Sequence, residues 1–169
     1  MSLLDVLHYP DPRLRHKAQA VTQFDEALKV LVNDMFETMY DAPGIGLAAI
    51  QVNVKQSVIV IDTSEEKNQP LCLINSEITE KSGELHYQEG CLSLPDIYEK
   101  VTRAEHIQVS AQNQHGEHIT VDASDLLAVC IQHEMDHLQG KLFVDTLSSL
   151  KQQRIRKKLE KAQRHTQER

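Results

Sequence analysis

A chain of 169 residues, 40 % hydrophobic and 25 % charged, has the length for one domain with a single substantial core. It contains no run of 18 apolar residues, so no membrane-spanning helix is expected, and three cysteines (Cys72, Cys91, Cys130) are an odd count that argues against a disulfide framework. The net charge of −7 is uneven: residues 151–169 hold eight Lys and Arg against two Glu, a net of +6, which leaves −13 on the rest. An acidic body disfavours nucleic acid in general, while a basic tail is either a solvated helix or a dock for something anionic. The first residues, Met-Ser-Leu-Leu-Asp-Val-Leu, carry an acid and no basic leader, so no signal or transit peptide is expected. With free thiols, this points to a reducing, cytoplasmic setting.

In chain order, residues 25–40 predict a helix, because Leu28, Leu31, Val32, Met35, Phe36 and Met39 recur at helical spacing. Asp41-Ala-Pro-Gly44 ends it. Gly44-Ile-Gly-Leu-Ala-Ala-Ile-Gln51, taken alone, is a helix-ending turn whose glycines and alanines permit close backbone approach. It is not a phosphate loop, since GxGxxG is incomplete and no Lys-Ser/Thr follows. Residues 57–62 and 71–74 are short apolar runs that predict buried strands. In Gln88-Glu-Gly-Cys-Leu-Ser-Leu-Pro95, Gly90 and Pro95 predict a tight, irregular segment that presents a side chain and exposes backbone N–H groups. Residues 106–111 alternate as a half-buried strand does, and 118–121 pair with them across Asn113-Gln-His-Gly116. Residues 124–138 predict a second helix with Gly140 at its C-cap, and 148 to about 164 a third, polar and charged. There is no internal repeat. Helices toward the ends and strands between give an α+β class.

The second helix contains His133-Glu-Met-Asp-His137. Residues four apart share a helix face with Cβ atoms about 5–6 Å apart, so both imidazoles reach one metal ion. Glu134 is then placed as the general base, as in HExxH hydrolases. A catalytic site needs a third ligand and an open position for water. The metzincin extension fails, because Gly140 fits its glycine but Phe143 stands where the third His belongs. Cys91 is the better candidate, its thiolate suiting zinc or ferrous iron. Cys130 competes, lying three residues before His133 on the same face, although that face points to the core and favours a pocket wall. Gln51 offers an amide hydrogen-bond donor.

Together, Gly44-Ile-Gly-Leu-Ala-Ala-Ile-Gln51, Glu89-Gly-Cys-Leu-Ser93 and Gln132-His-Glu-Met-Asp-His-Leu-Gln-Gly140 closely resemble the three signature motifs of the peptide deformylase family, in its order and at its spacing. The resemblance runs from Val6-Leu-His-Tyr-Pro to Lys151-Gln-Gln-Arg-Ile-Arg156. It implies antiparallel strands packed around a central metal-binding helix, with helices at the N- and C-terminal ends: a catalytic unit over 1–147 and a basic helix over 148–169 of the same domain, of the kind found in Gram-negative bacteria. It implies removal of the N-formyl group from the formylmethionine of nascent polypeptides, releasing formate. By matching positions, Cys91, His133 and His137 would bind Fe2+, with Zn2+, Ni2+ or Co2+ as substitutes. Glu134 would be base and then acid, and the Leu92 N–H and Gln51 amide would stabilise the oxyanion. Ile45, Leu126, Val129 and Cys130 match the methionine pocket. The backbone near Gly46, together with Glu89, would meet the extended peptide. The resemblance further implies a monomer with no membrane association, and ribosome docking through the basic helix.

Some positions depart from the commonest family pattern: Ile50, Ser76 and Asn113, none of them in the proposed metal shell, and Tyr87 and Tyr98, which bear on substrate preference. A metallopeptidase and a metal-binding protein without turnover are the competing readings. Cleavage of formylated but not unformylated peptides excludes the first, and formate release excludes the second.

Overall fold

The structure is a computed structural model describing residues 2–167, with side chains through residue 164. Helix α1 (Glu26–Asp41) starts where Asp25 accepts from the Leu28 N–H at 3.1 Å, and helix α2 spans Asp125–His137. Five antiparallel strands form one sheet in the order β1 (Gly46–Ala48), β2 (Val58–Ile61), β3 (Leu71–Ser82), β6 (His106–Gln112), β7 (His118–Ser124). β4 (Leu85–Cys91) and β5 (Leu94–Arg103) form a separate hairpin. Helix α3 covers Ser149–Gln167. No helix among the described residues is long and apolar enough to cross a membrane.

Strand β2 shows how the layers stack. Successive side chains alternate faces, and here both faces are covered. Val58 and Val60 join Leu28, Val32, Met35 and Met39 of α1, while Ile59 and Ile61 join Ala128 and Ile131 of α2. A strand covered on both sides has no polar face, which is why 58–61 is an unbroken apolar run. A third cluster gathers Leu7, Tyr9 and Leu14 with Leu94, Ile97 and Val101 of β5, Phe143, and Ile155 and Leu159 of α3. The last helix is therefore fastened to the body by its two buried apolar residues.

The structure extends the sequence reading in two places. The strand expected over 71–74 continues to Ser82, because beyond Asn75, in the left-handed region at φ 54, it leaves the covered layer but keeps its pairing to β6. Exposed residues there carry no apolar pattern. The segment 88–95, expected to be irregular, lies in the β4–β5 hairpin. The one buried residue of β4 is the charged Glu89, so alternation gave no signal. Gly140, at φ +73, closes α2 as expected, and a Cβ there would lie 2.5 Å from the Arg15 carbonyl oxygen.

Candidate metal centre

Two elements meet at the site. Helix α2 brings His133 and His137 one turn apart, with ring centroids separated by 5.0 Å. The hairpin brings Cys91, at the last position of β4, where it pairs with Leu94 across Leu92 and Ser93. The Cys91 Sγ lies 3.4 Å from His137 Nε2, and one ligand atom from each of the three residues falls within 4.8 Å of the others. Among the described residues this is the one such cluster, and Cys130 is outside it. One thiol and two imidazoles fit a zinc or ferrous ion with a position left for a small ligand.

His133 Nδ1 is paired with Glu89 Oε1 at 2.8 Å, which leaves Nε2 for a metal. Glu89 in turn takes Arg103 in a fork, with Nε to Oε2 at 2.8 Å and Nη2 to Oε1 at 2.9 Å. Arg103 also reaches Asp136 of α2, so one buried guanidinium ties hairpin to helix. Gln132 makes the neighbouring tie: its amide accepts from the Ala104 N–H at 3.0 Å and donates to the Ala104 carbonyl at 2.9 Å.

Glu89, expected to meet the substrate peptide, lines the cavity, and both of its carboxylate oxygens are held by His133 and Arg103. Burial opposes its ionisation, yet the Arg103 and His133 hydrogen bonds outweigh this and hold it below the usual Glu value.

Glu134 is buried beside the cluster, and its Oε1 has no hydrogen-bond partner among the described residues. Burial pushes its carboxyl up to about 7, opposed by a charged His133. A cation at the cluster favours the carboxylate form. For His137, burial and the neighbouring His133 both disfavour protonation, keeping a neutral imidazole suited to ligation. Gly46 makes this packing possible, since a Cβ there would sit 2.5 Å from Glu134 Oε2. Gly44 lies similarly against Leu92, with 3.0 Å from its absent Cβ to Leu92 Cδ1.

Gln51 is buried in a 3₁₀ turn following β1. Its Oε1 accepts from the Ala48 N–H at 2.9 Å, and its Nε2 donates to Ser93 Oγ at 3.0 Å while facing Cys91 Sγ at 3.6 Å. The Leu7 N–H donates to the Gln51 carbonyl and the Tyr9 N–H to the Ser93 carbonyl, both at 2.7 Å. A cavity of about 730 Å³ opens here. Ile45, Leu126, Val129 and Cys130 line it together with His133 and Glu134.

Sequence reasoning missed Ser93, Arg103 and Asp136. Ser93 and Asp136 stood inside quoted motifs as unassigned polar residues. Arg103 had no local signal, because its partners lie in other elements.

The polypeptide deformylase family matches over residues 3–153. A peptide deformylase from Nitrosococcus oceani is 58 % identical over 164 residues, covering 97 % of this chain and 98 % of the relative. One from Pseudoalteromonas translucida is 59 % identical over 161 residues, 95 % of this chain and 96 % of the relative. Among solved structures, a peptide deformylase from Legionella pneumophila superposes with a TM-score of 0.94 at 46 % identity, covering 99 % of each chain. One from Ehrlichia chaffeensis in complex with actinonin gives 0.94 at 36 % identity, covering 97 % of this chain and 99 % of that one. The α+β architecture, the ordered motifs and these matches over nearly the full length agree: the chain belongs to the peptide deformylase family.

Proposed function

We propose that Cys91, His133 and His137 hold a ferrous ion and that Glu134, Gln51 and Leu92 carry the deformylation. As a member of its family, the chain is a metal-dependent hydrolase that removes the N-formyl group from the formylmethionine of nascent polypeptides. The observation that carries the assignment of roles is the unpartnered, buried Glu134 Oε1 beside three converging ligand atoms. When bound, such an ion supplies Lewis acidity, bringing the pKa of water from about 15.7 toward 7.

Glu134 takes the proton of the attacking water and returns it to the departing α-amine, so that one carboxylate serves as base and then acid. The Leu92 N–H and the Gln51 amide donate to the oxygen of the formyl group as it gains charge, each worth about 3–4 kcal/mol. Gln51 is held for this by Ala48 and Ser93. The methionine side chain enters among Ile45, Leu126, Val129 and Cys130. The peptide runs along the edge of β1 near Gly46, which pairs with β2 on one side only. The thiolate and imidazole donors suit a ferrous ion, and zinc, nickel or cobalt would substitute for it at the same site.

The deciding experiment is formate release from formyl-Met-Ala-Ser by ferrous-loaded protein, alongside Glu134→Gln. Turnover by the native chain and its loss in the variant are expected; metal bound without turnover, or cleavage of unformylated peptide, would overturn the reading.

The chain is read as a monomer and as a single domain in which residues 148–169 belong to the same unit as 1–147; the burial of Ile155 and Leu159 in the third cluster supports the single unit. The exposed bases of α3, among them Arg154, Lys157, Lys158 and Lys161, support docking on ribosomal RNA. Replacing these four by Gln leaves the buried residues in place. It should abolish salt-sensitive ribosome co-sedimentation, and undiminished binding would refute the docking.

A further inference from the structure

Beside Cys91, two buried polar side chains from different elements hold each other. Gln51 belongs to the 3₁₀ turn after β1, and Ser93 to the tip of the β4–β5 hairpin. The Ser93 hydroxyl accepts from Gln51 Nε2 at 3.0 Å. Ser93 is fully buried and does not line the cavity. A hydroxyl taken out of water costs stability unless it is bonded, and alanine fills nearly the same space without that cost. Packing alone does not explain a serine here.

Two groups set the attitude of the Gln51 amide. The Ala48 N–H can only donate, so the amide oxygen faces it, at 2.9 Å, and Nε2 takes the other side. With that bond alone the amide would pivot about its oxygen. Ser93 supplies the second point and engages one Nε2 hydrogen, which leaves the other for the side where Cys91 Sγ lies 3.6 Å away. The backbones of both residues are tied to one strap. The Leu7 N–H holds the Gln51 carbonyl and the Tyr9 N–H the Ser93 carbonyl, so a single short segment sets the spacing between the turn and the hairpin tip.

We propose that Ser93 is a positioning residue for deformylation: its hydroxyl, keyed in place through the strap, fixes the plane of the Gln51 amide and aims the remaining Nε2 hydrogen at the formyl oxygen as it gains charge. The proposal rests on the role given to Gln51 above. Being outside the cavity lining, Ser93 acts through Gln51.

The test is a double-mutant cycle on full-length ferrous-loaded protein with formyl-Met-Ala-Ser, with kcat taken per bound iron. Ser93→Ala should lower kcat about 10-fold with KM within about twofold of native, the scale of a misaimed group. Gln51→Ala, which removes the donor, should lose about 10²–10³-fold. In the Gln51→Ala background, Ser93→Ala should change kcat by less than about twofold, since no amide remains to be aimed. General damage to the hairpin would instead lower kcat by the same factor in both backgrounds. That result, or native kcat in Ser93→Ala, overturns the positioning role. Ser93→Gly removes the same hydroxyl and completes the cycle if the alanine variant does not fold. A readout independent of turnover is the Gln51 side-chain amide, followed by NMR in metal-free protein. Its hydrogens should exchange with solvent at least about tenfold faster in Ser93→Ala than in the native chain, and equal rates also overturn the proposal. Native kcat in Gln51→Ala would defeat the oxyanion role of Gln51 and this proposal with it. No formate release by the native chain would defeat the deformylase reading itself, whereas additive losses defeat the role of Ser93 alone.

Discussion

At the scale of single residues, the site depends on small side chains that let charged ones approach. Gly46→Ala would push a methyl into Glu134 Oε2. Displacing a catalytic group by about 1 Å can cost about 10²-fold, so kcat on a formylated tripeptide should fall by that order while metal content stays near one per chain. Arg103 acts at one remove. Arg103→Ala strands Glu89 in the interior, a loss of about 3–5 kcal/mol, and lets His133 turn, lowering metal affinity about 10–100-fold. Denaturant melts and metal titration read these separately. Glu89 also sets an acid limit. Its folded pKa lies below the usual 4.5, so the unfolded chain takes up the proton first; its stabilisation is complete above about pH 4.5 and is lost as pH falls through the folded value. Melting temperature should drop more steeply below pH 4.5 in the native protein than in Glu89→Gln.

At the scale of elements, the sequence was legible wherever burial followed a repeating pattern. Helices α1 and α2 and strand β2 each show an apolar face or a fully apolar run, and each stands within a residue or so of its expected bounds. The hairpin β4–β5 was illegible for a physical reason. The one buried residue of β4 is an ionised Glu, and the buried Leu94, Ile97 and Val101 of β5 fall three and four residues apart, so neither strand shows the period of two. The candidate ligands were legible in the opposite way, through chemistry at fixed spacing, but the arginine that braces them is visible only in three dimensions. Gly140 belongs to the legible class. With φ +73 and Arg15 O 2.5 Å from its missing Cβ, Gly140→Ala should lower stability by about 1–3 kcal/mol, measured by urea unfolding. In α3, Ile155→Ala should cost about 2–5 kcal/mol by the same measurement, because that side chain is buried in the third cluster.

At the scale of the whole molecule, the three apolar clusters are not independent, and the chain's first twenty residues are the reason. Leu7 and Tyr9 hold the Gln51 turn and the hairpin, Ala18 donates to the Leu138 carbonyl, and Arg15 pairs with Asp145 across 130 positions of sequence. Contacts of such separation carry their loop-closure entropy before they return any stability, so they form late and slow folding. We predict that an early segment waiting for the last helices makes active-site assembly a late event of folding. Native-state hydrogen exchange should show it, with the Leu7, Tyr9 and Ala18 amides opening at lower free energy than those of α2. A chain still missing its final third holds Gln51 and Cys91 but lacks His133, Glu134 and His137, so the enzyme gains its activity only once α2 has been added.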